Sequence, residues 1–464
     1  MTESPITFRG RVQDALAGGV PIAIDAGARG HFQGRVRASA DFPQMEDMRD
    51  RARQIRGLTL SLLDHHLAQF ADSVERRGGS VFFAVDAADA NDYIVRLAAA
   101  EKVRRVVKVK SMVTEEIRLN DALEEAGIET VETDLGEFIV QLAGETPSHI
   151  IAPVLHKNRF DVAELFASTL DVEYTDDPTE LNNIARTYLR QRFLTADMGI
   201  SGANFAVAED GAVALVTNEG NGRISTTAPR IHVAVMGMER IVPTRADLAV
   251  MLEVLARSAT GQKLSVYSNI VAGPRRSGEP DGPDQFHVVI IDNGRSATLG
   301  SSVAEIMYCI RCGACLNACP VYRHVGGHAY GTVYMGPIGK VVTPSLLGLE
   351  QWHDLPAGSS LCGACTEACP VRIDIPRLLV DLRRQTTRHK PWTIRTGIAL
   401  YSRVATRPGL FRLLTRVAGV FGRVLGRSGW LPHIPGLLRS WSAARDVPAP
   451  APQTFDDWWR KRGT

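Results

Sequence analysis

All seven cysteines of this 464-residue chain fall into two short runs. The first is Cys309-Ile-Arg-Cys312-Gly-Ala-Cys315-Leu-Asn-Ala-Cys319-Pro320, and the second is Cys362-Gly-Ala-Cys365-Thr-Glu-Ala-Cys369-Pro370. The first run has the C-x2-C-x2-C-x3-C-P spacing that holds a pair of iron–sulfur clusters. Two intervening residues let three thiolates on one looping segment meet three corners of a cluster. The longer gap and the proline then direct the fourth cysteine to the other cluster. The spacing therefore predicts one cluster on Cys309, Cys312, Cys315 and Cys369, and a second on Cys319, Cys362 and Cys365.

The second cluster is one thiolate short. Ser359 stands where the spacing asks for it, three residues before Cys362. Three outcomes are open: a serine alkoxide ligand, a three-iron cluster, or a four-iron cluster with one iron on water or an exogenous group. Structural zinc fits poorly, because seven cysteines divide badly into tetrahedral sites. A disulfide framework fits no better, since short clustered spacings in a long chain point to metal.

Hydrophobic residues make up 45% and charged residues 22% of the chain, ordinary values for a globular protein of two or three domains. The N-terminus lacks a basic segment followed by an apolar one, and no stretch is long and apolar enough to span a bilayer. Together with reduced cysteines, these features lead us to expect a cytoplasmic protein. The net charge of +2 hides an asymmetry: residues 382–445 carry thirteen Arg and Lys and no acid. Within that tail Leu410, Leu413, Leu414, Val417, Phe421 and Val424 keep helical spacing, with Arg412, Arg416, Arg423 and Arg427 on another side. A basic amphipathic helix of this kind suits a partner, the chain's own core or an anionic membrane surface, which would make the protein peripheral there. After a proline-rich linker comes Phe455-Asp-Asp-Trp-Trp459, aromatics suited to anchoring in a pocket. No nucleic-acid recognition motif accompanies the arginines.

In chain order, residues 1–57 read as a polar, arginine-rich arm packing on this chain or a partner, followed by a helix over 58–77. From Ser80 strands and helices alternate: strands at 81–85, 103–109, 129–131 and 149–152, and helices at 87–100 and 135–142. This alternation predicts a parallel, doubly covered sheet in an α/β domain spanning 58–295. Its glycine-rich loops, Gly202-Ala-Asn204 and Thr217–Arg223, could turn main-chain N–H groups toward an anion, with Arg223 pairing to a carboxylate or phosphate. No G-x-G-x-x-G or P-loop is present, so no nucleotide or flavin site is indicated. Residues 300–385 follow as a second domain. Its 42-residue gap between Cys319 and Cys362 is too long for the compact ferredoxin repeat, so an all-helical two-cluster ferredoxin is expected. His324 and His328 read as local hydrogen-bonders. The tail occupies 386–464.

The runs Ser111–Glu116, Glu132–Glu137, His156-Lys-Asn158, Gly202-Ala-Asn204, Val216–Arg223, Val235–Arg240 and Cys319–His328 together resemble the lactate utilisation protein B family. The resemblance implies a LUD domain, related in fold to the ribose-phosphate isomerase (NagB/RpiA) and CoA-transferase group, followed by an α-helical two-cluster ferredoxin. It further implies a part in oxidising L-lactate to pyruvate. The partners it implies are a cysteine-rich, heterodisulfide-reductase-like subunit and a second LUD-domain protein.

Lactate oxidation removes two electrons and two protons, whereas an iron–sulfur cluster takes one electron at a time. A chain with two clusters and no hydride acceptor is thus expected to relay electrons as an oxidoreductase subunit, not to act as a self-sufficient enzyme. An open iron beside Cys319, Cys362 and Cys365 would offer a Lewis acid instead. The competing expectations are a subunit for glycolate or another 2-hydroxy acid, a CoA-transferase-type enzyme using Glu219, and a redox sensor.

Overall fold

The computed structural model describes residues 7–17, 21–389, 392–425, 429–431, 447–451 and 453–462. The chain divides into one compact unit ending at Thr386 and a second beginning at Thr387.

Ten strands lie in the first unit: β1 (Ser80–Ala84), β2 (Arg105–Lys108), β3 (Glu129–Glu132), β4 (Met198–Gly202), β5 (Phe205–Val207), β6 (Ala212–Thr217), β7 (Ile231–Gly237), β8 (Ile241–Val242), β9 (Tyr267–Val271) and β10 (Gln285–Ile291). Six of them form an all-parallel sheet in the order β1-β10-β7-β4-β2-β3. Residues of β7 and β10 alternate between its faces. Val233, Val235, Val289 and Ile291 pack with Ile94 of helix Ala87–Ala100, whereas Ala234, Met236, Val288 and Ile290 pack with Phe70 and Val74 of helix Leu63–Arg76. Burial on both sides explains why these strands read as continuous apolar runs. A smaller sheet, β8-β5-β6-β9, flanks the first.

Residues 149–152, expected as a strand, form a bent loop instead. His149 causes this: its Nδ1 accepts from the N–H groups of Ile151 (3.0 Å) and Ala152 (3.1 Å), donors that a ladder would need. Its Nε2 meets Asn317 Oδ1 at 3.0 Å, and burial pulls its pKa down to about 3, so the ring is neutral.

Residues 1–57, expected as an arm packing on this chain or a partner, carry the helices Phe8–Ala17 and Pro21–Ala40 and most of Met45–Ser61 among the described residues. The helix expected at 58–77 is broken at Leu62, between Met45–Ser61 and Leu63–Arg76. Three arginines of Met45–Ser61 face inward. Arg49 donates to the Cys369 carbonyl (2.9 Å), Arg53 to the Arg372 carbonyl (2.6 Å), and Arg56 to the carbonyls of Ile241 (3.0 Å) and Met307 (2.9 Å). The segment thus fastens the sheet-bearing part to the cysteine-bearing part. Among the described residues, 304–386 contain only α and 3-10 helices and loops, no strand.

In the second unit, helices Trp392–Ala405, Pro408–Leu425 and Phe455–Arg462 are present. Arg416 pairs with Asp457 (2.5 Å) and Arg412 with Asp456 (3.2 Å). Phe411, Leu413 and Val417 remain exposed, as do Phe455 and Trp459, whose rings stack on each other. The side chains of Phe421, Arg423 and Val424, and the whole of Arg427, lie outside the described residues. No helix among the described residues is long and apolar enough to cross a membrane.

Candidate functional site: cysteine runs beside a charged cavity

The two cysteine runs share one backbone design. Arg311 and Leu361 have φ of 60° and 56°, and Gly313 and Gly363 have φ of 75° and 86°. Each Cys-Gly-Ala-Cys turn therefore begins with two left-handed residues around the first cysteine, then enters the short helix Ala314–Ala318 or Ala364–Ala368. Glycine is needed in the middle of each turn, because an L-residue there is strained. Such turns aim main-chain N–H groups at sulfur. The Arg311 N–H points to Cys309 Sγ (3.3 Å), Tyr322 N–H to Cys319 Sγ (3.5 Å) and Ile373 N–H to Cys369 Sγ (3.4 Å).

Electrostatically the thiols fall into two neighbouring sets. Burial, and then Cys369 and Cys309, push Cys312 up. Burial, and then Cys319 and Cys362, push Cys365 up to about 12. Cys315 feels Cys309, Cys312 and Cys369, and also Cys365 across the divide. Cys362 alone is exposed, and its thiol is lowered, first by the Ala364 N–H.

The donor set fits iron–sulfur clusters. Thiols this buried stay protonated unless cationic metal stabilises their thiolates. A single tetrahedral zinc would draw its sulfurs to within about 3.8 Å of each other. Among the described residues no three His, Cys, Asp or Glu side chains converge on one ion. Ser359 Oγ accepts from the Leu361 N–H (3.2 Å), while Ser360 is the hydroxyl that hydrogen-bonds to Cys362.

Cations surround both sets. Lys340 is fully buried, 5.4 Å from the Tyr330 ring, and its ammonium has no hydrogen-bond partner among the described residues. Burial pulls its pKa down, against the opposing pull of Cys319 and Cys365. Arg311 lies 4.5 Å over the Tyr334 ring, beside Cys309.

A cavity of about 490 Å³ opens at the carboxyl ends of β2, β4 and β7, the usual ligand position on a parallel sheet. It is lined by Lys110, Asn204, Glu219, Arg240 and Arg311, and it extends to Cys312. One wall is a buried ion network. Arg295 pairs with Glu116 (2.7 Å) and Glu239 (2.8 Å), Arg311 lies 3.6 Å from Glu239, and Tyr334 donates to Glu116. Gly237 ends β7 against this network, where a Cβ would collide with the Glu239 carboxylate and the Arg295 guanidinium. Burial raises Glu239, but Arg295, Arg240 and Arg311 outweigh it and hold the carboxyl at about 2.

Acids of another kind are Glu137, next to the cavity-lining Lys110, and Glu219, which lines the cavity itself. Lys110 pairs with Glu137 (2.9 Å), yet burial keeps Glu137 well above the usual carboxylate range. Burial, followed by the Asp134 charge, raises Glu219 to about 7, and its Oε2 accepts from the Leu135 N–H (3.3 Å).

Of the loops singled out by sequence, Gly202-Ala-Asn204 and Thr217–Glu219 line the cavity. Arg223 does not. It is exposed, 5.4 Å over the Tyr267 ring, with no contact to Glu219. His324 and His328 bond the carbonyls of Pro320 and Thr146 (2.7 Å each). Sequence reasoning missed Lys110, Glu239, Arg240, Arg295 and Lys340. Glu239 and Arg240 lie inside a motif run, but nothing in the spacing marks them as cavity residues.

Residues 67–291 match the family described as LUD domain, residues 305–373 the 4Fe-4S dicluster domain, and residues 383–464 "Lactate utilisation protein B, C-terminal". Among curated relatives, a "Lactate utilization protein B" of Oceanobacillus iheyensis is 45% identical over 98% of this chain and 96% of its own. Proteins of the same name from Shouchella clausii and Exiguobacterium sp. are 47% and 48% identical, over 92% and 93% of this chain and 90% and 92% of theirs. A solved structure, a DUF162 family protein from Deinococcus radiodurans, is similar at 15% identity and a TM-score of 0.28, covering 49% of this chain and 98% of that one.

Proposed function

This chain belongs to the lactate utilization protein B family, and from that premise we propose that it is the iron–sulfur electron-transfer subunit of a complex oxidising L-lactate to pyruvate. The observation that carries the relay reading is the order of the sites. Cys312 borders the cavity, Cys315 and Cys365 are electrostatic neighbours, and Cys362 lies at the surface.

In this reading Cys309, Cys312, Cys315 and Cys369 hold one four-iron cluster, and Cys319, Cys362 and Cys365 hold the other. Ser359 or an exogenous group completes the second set. Clusters so bound would accept and pass on electrons singly. The residues around them set how readily that happens. N–H donors on Cys309, Cys319 and Cys369, and the charges of Arg311 and Lys340, offset the negative charge that reduction adds. Burial of all but Cys309 and Cys362 keeps water from the sulfurs. Because two electrons leave the hydroxy acid together, the reading assigns the two-electron step to partners: a cysteine-rich, heterodisulfide-reductase-like subunit and a second LUD-domain protein. Kinship of the sheet-bearing part with the ribose-phosphate isomerase and CoA-transferase group, and of residues 300–385 with helical ferredoxins, belongs to the same proposal. It is supported by the parallel sheet with its terminal crevice and by the strandless cysteine region.

The test is EPR on anaerobically purified protein, with iron and sulfide counted. Two four-iron clusters require about eight irons per chain and signals that appear on reduction. With partners present, lactate should produce those signals; the chain alone should remain oxidised. Lactate oxidation by the isolated chain with an artificial acceptor refutes the relay. A second reading draws on the place of Glu219 in the cavity: an acyl-accepting carboxylate of CoA-transferase type. A covalent thioester on Glu219 after incubation with an acyl-CoA would establish it.

A further inference from the structure

The relay reading leaves the cavity itself without a role, and one of its cations without a hydrogen-bond partner. The Arg240 guanidinium makes no hydrogen bond among the described residues, and its side chain is 14% exposed, facing the cavity. Its nearest acid is Glu239, at 3.9 Å, and that carboxylate is already engaged by Arg295 at 2.8 Å. Asn204 commits its Oδ1 to the Val216 N–H (2.9 Å), which leaves its amide NH2 as a donor at the same cavity. A surplus of buried cationic donors is costly unless an anion completes it.

We propose that this cavity binds a small organic acid, with its carboxylate on Arg240 and Asn204 and its body along the apolar wall of Ile150, Leu215 and Leu255. Guanidinium and carboxylate match as a planar, bidentate pair. At about 490 Å³ the cavity has the size of a small-molecule site. The acids present do not compete for Arg240. Asp134 caps the helix Leu135–Leu142 through the Gly136 N–H (3.1 Å), and Glu219 is held by the Leu135 N–H on the far side. A ligand seated this way lies against the Cys312 segment, so its arrival alters the surroundings of the sulfur set beside it. The proposal rests on the cavity and Arg240; only the choice of L-lactate and pyruvate as probes rests on the function proposed above.

The experiment is calorimetric titration of anaerobic, cluster-loaded full-length protein at low ionic strength. The probes are L-lactate, pyruvate and the bulkier 4-methyl-2-oxopentanoate, with lactamide as the uncharged control and inorganic phosphate as a competing anion. At least one acid should bind saturably, and lactamide should not. Arg240→Gln, and Ala259→Trp, which fills the cavity from another wall, should each weaken binding about tenfold or more, a loss of roughly 1.4 kcal/mol. In the wild-type protein, phenylglyoxal labelling of Arg240, mapped by mass spectrometry, should fall when the acid is present, a readout that needs no variant. Absence of saturable binding by every acid, equal binding of lactamide or phosphate, or labelling of Arg240 unchanged by acid overturns the proposal. Because no turnover is measured, failure here leaves the electron-relay reading standing, and failure of the relay leaves this one.

Discussion

Replacing Lys340 with methionine should lower the midpoint potential of the cluster proposed on Cys319, Cys362 and Cys365. The Lys340 ammonium is buried, without a hydrogen-bond partner among the described residues, and after burial itself Cys319 and Cys365 act on it most strongly, ahead of Arg383 and of Cys315 from the other set. Two unit charges about 6 Å apart at an effective dielectric constant of about 20 interact by roughly 3 kcal/mol. With about 59 mV per tenfold for one electron, that is on the order of 120 mV. Solvent at the exposed Cys362 screens part of it, so a fall of about 60–120 mV is expected. Methionine fills similar space, so the variant changes the charge with little change in packing. The assay is an EPR-monitored redox titration, with the other cluster as internal reference and Lys340→Arg as the charge-keeping control. A shift below about 15 mV, an upward shift, or equal shifts in both clusters would refute the electrostatic reasoning.

Glu239 makes stability pH-dependent. Its folded pKa of about 2 lies below the unfolded value of about 4.3, so its contribution of roughly 3 kcal/mol is present above pH 4.3 and lost as pH falls toward 2. Glu239→Gln should cost about 3–5 kcal/mol at neutral pH in urea unfolding and remove that acid limb. Cys312→Ser should abolish the EPR signal of the cavity-side cluster while the other persists, and Cys365→Ser should do the reverse; loss of both from either variant contradicts the division into two sets. Stripping iron with chelator should lower the thermal midpoint by about 10 °C or more and expose helix Met45–Ser61 to proteolysis, because Arg49 and Arg53 bond to the carbonyls of Cys369, in the second cysteine run, and Arg372, just after it. A chain truncated after Thr386 should keep its visible absorbance and thermal midpoint but lose co-purification with partner subunits; retained co-purification would remove the exposed face at Phe411, Leu413 and Val417 as the docking surface.

Much of the fold was legible because its causes are local. The helices at 87–100 and 135–142 have the expected bounds, since Asp86 and Asp134 cap helices whose apolar spacing is regular. The strand β1 stood out as the short apolar run at 81–85. Met198–Gly202 did not, although it lies at the centre of the sheet: two glycines and a serine in five residues carry no strand signal, and only its neighbours β7 and β2 make it one. The segment 45–57 read as part of a polar arm because hydropathy scores Arg49, Arg53 and Arg56 as solvated. Each of them instead satisfies buried carbonyls from residues about 180 to 320 positions away.

What the sequence carried by itself is the cysteine spacing, which matches a 4Fe-4S dicluster domain. A spacing of two residues limits how far one thiol can lie from the next, so the pattern in Cys309–Cys319 and Cys362–Cys369 is legible whatever surrounds it. Tertiary structure alone decided what faces those sulfurs. Lys340, Glu239, Arg240 and Lys110 come from distant parts of the chain, and none sits in a spacing that signals its role. They are brought together by the packing of a parallel sheet against the cysteine-bearing helices. The cost of burying charge then decides which partners each must find, a quantity that no local pattern of residues carries.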